Sequence, residues 1–334
     1  MNILVTGGAG YIGSHVIKQL LENHKNRITV IDNFVTGFED TINTLKLFGK
    51  FKFINQDLND WSAVHDIFRN SNFDVVIHFA ASLLAGESVT SPLKYYINNT
   101  CNTANLIDLC NKYNVNNFIF SSSAAVYGEP DEGKMPLSEL EENKPINPYG
   151  SSKLFIEKII KDNAHANKNF KYVVLRYFNV AGAEDSFSIG ERHEPETHLI
   201  PLVVKTALGT RDKVMIYGDD YHTKDGTCIR DYIHVDDLAS AHISSLEYLK
   251  ENKSTIFNCG YGHGYSVIEI IKVVKKVSGI NFNVEITDRR AGDPAVLVAD
   301  NRKILKMTNW NPKYDDIEYI CKTALEWEKK NILL

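Results

Sequence analysis

Ile3-Leu4-Val5-Thr6-Gly7-Gly8-Ala9-Gly10-Tyr11-Ile12-Gly13 decides the fold. Its first three residues form a short apolar, β-branched run that breaks abruptly into glycine, and beyond it Ile12, Val16 and Leu20 fall at helical spacing. The segment reads as strand, glycine turn, helix. Gly7 suits the tight turn, Gly10 lets backbone approach a pyrophosphate at the helix N-terminus beside Tyr11 and Ile12, and Gly13 lets the helix pack closely on the sheet. A glycine triplet alone is weak, but the next apolar run, Ile28-Thr29-Val30-Ile31, ends in Asp32. That acid stands about 20 residues past the last glycine, where a carboxylate can bind an adenosine ribose 2′-hydroxyl. Asp32 would repel a 2′-phosphate, so the expected cofactor is NAD rather than NADP. The bland alternative is a structural turn followed by a charged loop.

Working outward, the alternation continues through a strand at Phe51 to Ile54, a helix from Trp61 to Phe68 and a strand run from Asp74 to Ala81. A helix from Cys101 to Tyr113 and a strand from Asn117 to Phe120 follow. Strands alternating with helices predict a doubly wound α/β fold with a parallel sheet covered on both faces. Ligands of such sheets sit beyond the carboxyl ends of the strands. The cofactor candidates are therefore Asp32 and Asn33, Asp57 and Leu58, then Phe79, Ala80 and Ala81. A loop cap competes for Asp57, a core role for His78, and a helix N-cap for Asn98.

Ser121-Ser122-Ser123 follows the strand at Asn117 to Phe120 and places small hydroxyls at the mouth of the sheet, Ser121 toward the cofactor. Farther on, Asn147-Pro148 sets a helix start at Tyr149, and Lys153 lies one turn later on the same face. A phenol with a pKa near ~10 is a poor base, but a fixed positive charge and a helix N-terminus favour the phenolate. Ser123, Tyr149 and Lys153 thus form a candidate proton-relay set for a carbinol. Taken alone, the Tyr149 and Lys153 spacing is equally that of a half-buried tyrosine over a solvated lysine.

Composition narrows the class. The 334 residues are 43% hydrophobic and 24% charged, which suits a globular chain with large cores. A formal net charge of -5 argues against nucleic-acid binding. Five scattered cysteines with no C-x-x-C predict neither disulfides nor a zinc site, so no metal is expected and a reducing cytoplasm is the expected compartment. The N-terminus carries no leader pattern and no run approaches a membrane span, so no membrane partner is expected.

Together these residues resemble the extended short-chain dehydrogenase/reductase superfamily and, within it, the UDP-hexose 4-epimerases. The resemblance spans nearly the whole chain. It rests on residues 6–15, on His78-Phe79-Ala80-Ala81, on residues 121–128, on residues 147–153 and on residues 175–183. It continues in residues 226–237 and in Arg289-Arg290-Ala291-Gly292-Asp293-Pro294. What it implies is inversion at C4 of a UDP-hexose, UDP-galactose to UDP-glucose, through a transient 4-keto sugar with NAD held tightly. Tyr149 would be the base, Ser123 would hydrogen-bond or relay at the sugar hydroxyl, and Lys153 would contact the nicotinamide ribose and, with the cationic nicotinamide, lower the tyrosine pKa. Tyr177 would adjoin the cofactor. Asn179, Arg230 and Arg290 would hold the diphosphate and Asp293 a ribose, with His198, Leu199, Tyr232 and Leu297 lining the substrate side. A homodimer is implied as well.

The chain departs from the pattern in three places. Ser82-Leu83-Leu84 lacks a lysine found near the nicotinamide in some members, and His198 stands where many have asparagine. Leu297 replaces a bulky tyrosine associated with exclusion of N-acetylated sugars, so UDP-N-acetylhexosamines are expected as further substrates. An epimerase of UDP-pentoses or uronates is the nearest alternative. A 4,6-dehydratase needs an acid pair where Ala124 and Ala125 stand, and a catalytically dead NAD sensor has no need of the Ser123, Tyr149, Lys153 set. Residues 1–177 are expected to form the NAD-binding domain and 178–334 a smaller mixed α/β lobe, with an approximate boundary and the chain free to cross between them. Residues 183–201 read as a mobile loop over the substrate.

Overall fold

The computed structural model describes residues 1–290 and 292–332. Seven strands form one sheet: β1 (Asn2–Thr6), β2 (Arg27–Asp32), β3 (Lys52–Asn55), β4 (Val75–His78), β5 (Asn117–Ser123), β6 (Lys171–Tyr177) and β7 (Thr255–Cys259). Their order is β7-β6-β5-β4-β1-β2-β3, and every neighbouring pair is parallel. This is the doubly wound Rossmann arrangement, in which the strand order reverses between β1 and β4. Alternate residues of each strand feed different cores. Ile3 and Val5 join the cluster on one face and Leu4 the other, as Val75 and Ile77 are separated from Val76. Helices cover both faces, which is why these strands are apolar without interruption.

Beyond the sheet, the described residues form three small sheets. Asn179–Ala181 pairs in parallel with Tyr232–His234, Lys213–Tyr217 with Asn283–Thr287, and Ile229–Arg230 lies between Tyr265–Ser266 and Val296–Leu297.

Three expectations bear on these elements. First, the chain crosses the approximate boundary at 177: β7 returns to pair with β6 from Thr255 opposite Val173 to Cys259 opposite Tyr177. Helix Val235–Glu251 also packs on the cofactor side, where Gln19 Nε2 donates to the Asp236 carbonyl at 2.9 Å. A sheet ending at β6 would leave an unpaired edge, and β7 covers it. Second, the three serines do not follow β5 but are its last residues, paired with Leu175, Arg176 and Tyr177 of β6. Third, the helix expected from Cys101 begins earlier, as Pro92–Tyr95 and a π-helical turn Tyr96–Cys101 running into Asn102–Lys112. Asn98 lies inside that turn and is no N-cap.

Candidate active site

The cleft opens where β1 and β4 diverge. Gly7 has φ +74°, and a Cβ there would lie 2.6 Å from the Ala80 nitrogen; one at Gly13 would lie 2.3 Å from the Gly7 carbonyl oxygen. Both glycines are required by the protein's own packing. Gly10 is different, since its Cβ would meet nothing closer than Gly7 O at 3.4 Å. Gly10 is also the N-cap of helix Tyr11–Glu22 and lines a cavity with Tyr11, Ile12 and Gly13, so the positive helix end faces that cavity. That is a cradle fitted to a pyrophosphate. Asp32 fixes it, its Oδ2 accepting from Ala9 N and its Oδ1 from Phe34 N, each at 2.9 Å. Burial raises the Asp32 pKa and these two N–H bonds pull it back.

Two cavities meet at this loop. One, of about 320 Å³, is lined by Asp32, Asn33, Asp57, Leu58, Ala81 and Asn98. Asn33 Nδ2 donates to Asp57 Oδ2 there at 2.9 Å. The other, of about 360 Å³, is lined by Gly10, Tyr11, Ile12, Gly13, Phe79, Ser123, Tyr149, Lys153 and Tyr177. They share Gly7, Asp32, Ala80 and Ala81, and so form one trough.

Local structure explains why the reactive side chains converge. Ser123 and Tyr177 are direct cross-strand partners at the ends of β5 and β6. The helix carrying Tyr149, Pro148–Ala166, begins with Asn147 accepting from Gly150 N at 2.8 Å and proline in its first turn. A Cβ on Gly150 would lie 2.5 Å from the Ala125 carbonyl oxygen, so the helix start presses onto the turn after Ser123. The Ser123 hydroxyl, which accepts from Ala125 N at 3.1 Å, is thereby brought onto the same cavity wall as the Tyr149 phenol. His78 is a core residue as its strand position suggested, bridging Thr6 Oγ1 at 2.6 Å and Thr103 Oγ1 at 2.7 Å.

The depression expected of Lys153 together with the cationic nicotinamide is not supplied by the protein's own groups. Burial raises the Tyr149 pKa, with the Ser123 hydroxyl opposing it. Lys153 cannot overcome this, because its ammonium is spent on the Ser121 carbonyl at 2.9 Å and lies 5.9 Å from the Tyr149 ring centre. Burial also pushes Lys153 down to about 7, against the pull of Glu157. An unfolded lysine titrates near ~10.4, so between the two values the unfolded chain binds more protons and stability rises with pH. In NAD-free protein, Lys153→Met should therefore gain more stability over the parent near pH 7 than near ~10. Urea unfolding at the two pH values measures this, and an equal difference at both contradicts it.

Beyond the reaction cavity lies a third, of about 200 Å³, lined by Asn179, His198, Leu199, Arg230, Tyr232, Arg290 and Asp293. It shares Asn179, Thr197 and His198 with the cavity of Tyr149. Arg230 pairs with Asp293, and Arg290 stacks 3.8 Å from the Tyr217 ring centre. Arg289 is instead a surface residue paired with Asp220 at 2.6 Å. The chain thus presents a trough for a dinucleotide running into a cationic pocket, with a phenol, a hydroxyl and a lysine where they join. Residues 3–260 match the model of a family described as the NAD dependent epimerase/dehydratase family.

The chain belongs to that family.

It is 44% identical over 332 residues to the UDP-glucose 4-epimerase of Lacticaseibacillus casei, covering 99% of this chain and 98% of that one. It is 53% identical to the solved UDP-Glc/GlcNAc 4-epimerase of Campylobacter jejuni, with a TM-score of 0.87 and coverage of 98% and 99%. The UDP-glucose 4-epimerase of Bifidobacterium longum, solved with NAD+ and UDP, is 39% identical with a TM-score of 0.94, covering 99% of each chain.

Within this family framework two expected contacts sit differently. Ser121 is buried and lies outside the cavity walls; it acts through its carbonyl on Lys153, while its hydroxyl contacts His242 Nε2 at 2.9 Å. Leu297 also lies outside these walls, because its strand pairs with Arg230 and its side chain packs on the cluster of Tyr127 and Phe178. The stretch 183–201 is anchored rather than free: Ala183 bridges Gly190, and Trp327 Nε1 donates to the Glu191 carbonyl at 2.7 Å. Sequence reasoning missed three supporting residues. Asn99 holds Ser82 through both backbone groups at 2.7 and 3.0 Å and reaches Ser152 Oγ at 3.0 Å. His242 Nδ1 lies 2.9 Å from the Leu238 carbonyl, so its Nε2 accepts the Ser121 hydroxyl, and burial pushes its pKa down to about 4. Glu157 binds Ser122 and Arg176. Only Glu157 carried a signal, standing one turn beyond Lys153.

Proposed function

We propose that the chain interconverts UDP-galactose and UDP-glucose by redox-neutral inversion at C4. One observation carries this reading: Ser123, Tyr149 and Lys153 stand where the glycine-loop trough meets a pocket holding two arginines. Bound NAD, cradled by Gly7, Gly10 and Gly13 and gripped at its ribose by Asp32, supplies the hydride acceptor and donor. Tyr149 takes the proton from the C4 hydroxyl and later returns it. Ser123 hydrogen-bonds both that hydroxyl and the phenol, keeping the proton path short. Lys153 would hold the nicotinamide ribose and, together with the cationic nicotinamide, favour the phenolate. Arg230 and Arg290 hold the diphosphate in forked hydrogen bonds while the 4-keto sugar turns over about its link to it. Asn179 and His198 border both cavities and guide the sugar, and Asp293 binds a ribose hydroxyl. Residues 1–177 supply the NAD cleft and 178–334 most of the UDP-sugar pocket, with 235–259 returning to the cofactor side.

Acceptance of UDP-N-acetylhexosamines is part of this reading, supported by a relative of 53% identity that carries both sugars in its name. Purified protein given UDP-galactose without added reductant should form UDP-glucose, and given UDP-N-acetylglucosamine should form its C4 epimer. Conversion of UDP-xylose or UDP-glucuronate but not UDP-galactose would move the substrate to pentoses or uronates. Inactivity on the N-acetylated sugar alone would remove only the broader range.

A homodimer is part of this reading. Leu93, Ile97 and Phe155 are 70%, 53% and 48% exposed, and Phe155 meets Tyr96 with ring centres 5.8 Å apart, a shared apolar face. Light scattering giving the mass of a single chain would contradict it. Five unpaired cysteines, four of them buried, support the cytoplasm, which cell fractionation checks.

A further inference from the structure

Glu191, His193 and His198 lie on the wall of the reaction cavity with Glu196 beside them, and one donor atom from each of the four falls within 4.8 Å of all the others. His198 Nδ1 is 3.0 Å from both Glu191 Oε1 and Glu196 Oε1. His193 Nδ1 is 3.4 Å from Glu191 Oε1 and from Glu196 Oε2. An ion with tetrahedral bonds of 2.0–2.1 Å sets its ligand atoms about 3.3 Å apart, so the spacing is that of a coordination shell about to close.

A second observation is independent of that spacing. Glu191 is only 6% exposed, yet its Oε2 has no hydrogen-bond partner, and neither has His193 Nδ1. A proton on His193 Nδ1 would align with neither carboxylate, and a bare lone pair there would face two negative charges. Buried polar groups left in that state cost stability. A cation between the four side chains satisfies them together.

We propose that these four residues bind one divalent transition-metal ion of the zinc class. The ion takes the place of one proton on each imidazole; the two carboxylates and the two imidazoles left neutral then carry a charge of minus two, which it balances. Two nitrogens with two oxygens suit zinc or cobalt better than the hard magnesium ion. Backbone already orients one carboxylate: Thr197 N and His198 N each donate to Glu196 Oε1 at 2.8 Å. Four protein donors close the shell, so the ion acts as a brace fixing His198 between the sugar and nucleotide cavities.

The binding is measured apart from turnover. NAD-loaded protein titrated with zinc in a calorimeter should take one ion per chain, and cobalt should give the intense visible bands of a tetrahedral site. Glu191→Gln and His193→Gln should each weaken zinc by at least about tenfold. His263→Gln, at the surface pair with Asp315, should leave it unchanged. Zinc should also raise the melting temperature of the parent and not of His193→Gln. Absence of saturable one-to-one binding, the pale spectrum of octahedral cobalt, or affinity unaltered in both ligand variants overturns the site.

Discussion

Tyr149→Phe should lower kcat by about 10³-fold while NAD retention and UDP affinity stay at parent levels. Phenylalanine keeps the ring, its burial and its edge contact with Tyr95, whose ring centre is 6.4 Å away. What it removes is one oxygen, the one that shares the reaction cavity with Ser123. If that oxygen only filled space, activity would change little, because the helix start is set by Asn147, Pro148 and Gly150. Rates with UDP-galactose, alongside calorimetry with UDP, separate the two cases. Turnover within about tenfold of the parent would mean that the proton moves through another group.

Glu157→Ala should lower unfolding free energy by about 3–5 kcal/mol, the cost of leaving a buried charge uncompensated. Arg176 is 1% exposed, and its guanidinium meets Glu157 with Nε–Oε1 at 2.9 Å and Nη2–Oε2 at 2.6 Å. The same carboxylate accepts Ser122 Oγ at 2.7 Å, and Arg176 Nη1 also donates to the Tyr127 hydroxyl at 3.0 Å. Removing the acid orphans the cation and frees the serine next to Ser123. Denaturant unfolding reads the loss. The double variant Glu157→Leu with Arg176→Met should recover much of it, since apolar replacement of both partners removes the unpaired charge. A loss below about 1 kcal/mol would mean that water reaches Arg176.

What was legible in the sequence was whatever is local. The strand, glycine turn and helix of residues 2–22 show themselves because backbone geometry and burial act there within a few positions. Tyr149 and Lys153 were readable for the same reason, being one helical turn apart. Interactions between distant segments were not. His242 reaches Ser121 across 121 positions and Asn99 reaches Ser152 across 53, and neither partner leaves a periodic trace. What Lys153 alone does to Tyr149 was not legible, because spacing gives a charge's distance along the helix but not where its ammonium points. The cluster at Glu191 was hidden because its four donors fit no metal-ligand spacing, and it forms only when the stretch folds against Trp327.

The return of β7 has a consequence for how the chain is made. A ribosome that has released residues only through Tyr177 has produced every glycine, acid and hydroxyl of the cofactor cleft, but not a finished sheet. Val173, Val174 and Leu175, fully buried in the mature protein, then lie along an open edge until Thr255–Cys259 emerges. Biosynthesis passes through an interval in which the newborn cleft carries a sticky β-strand. Chaperone demand should therefore concentrate on the span of translation between β6 and β7.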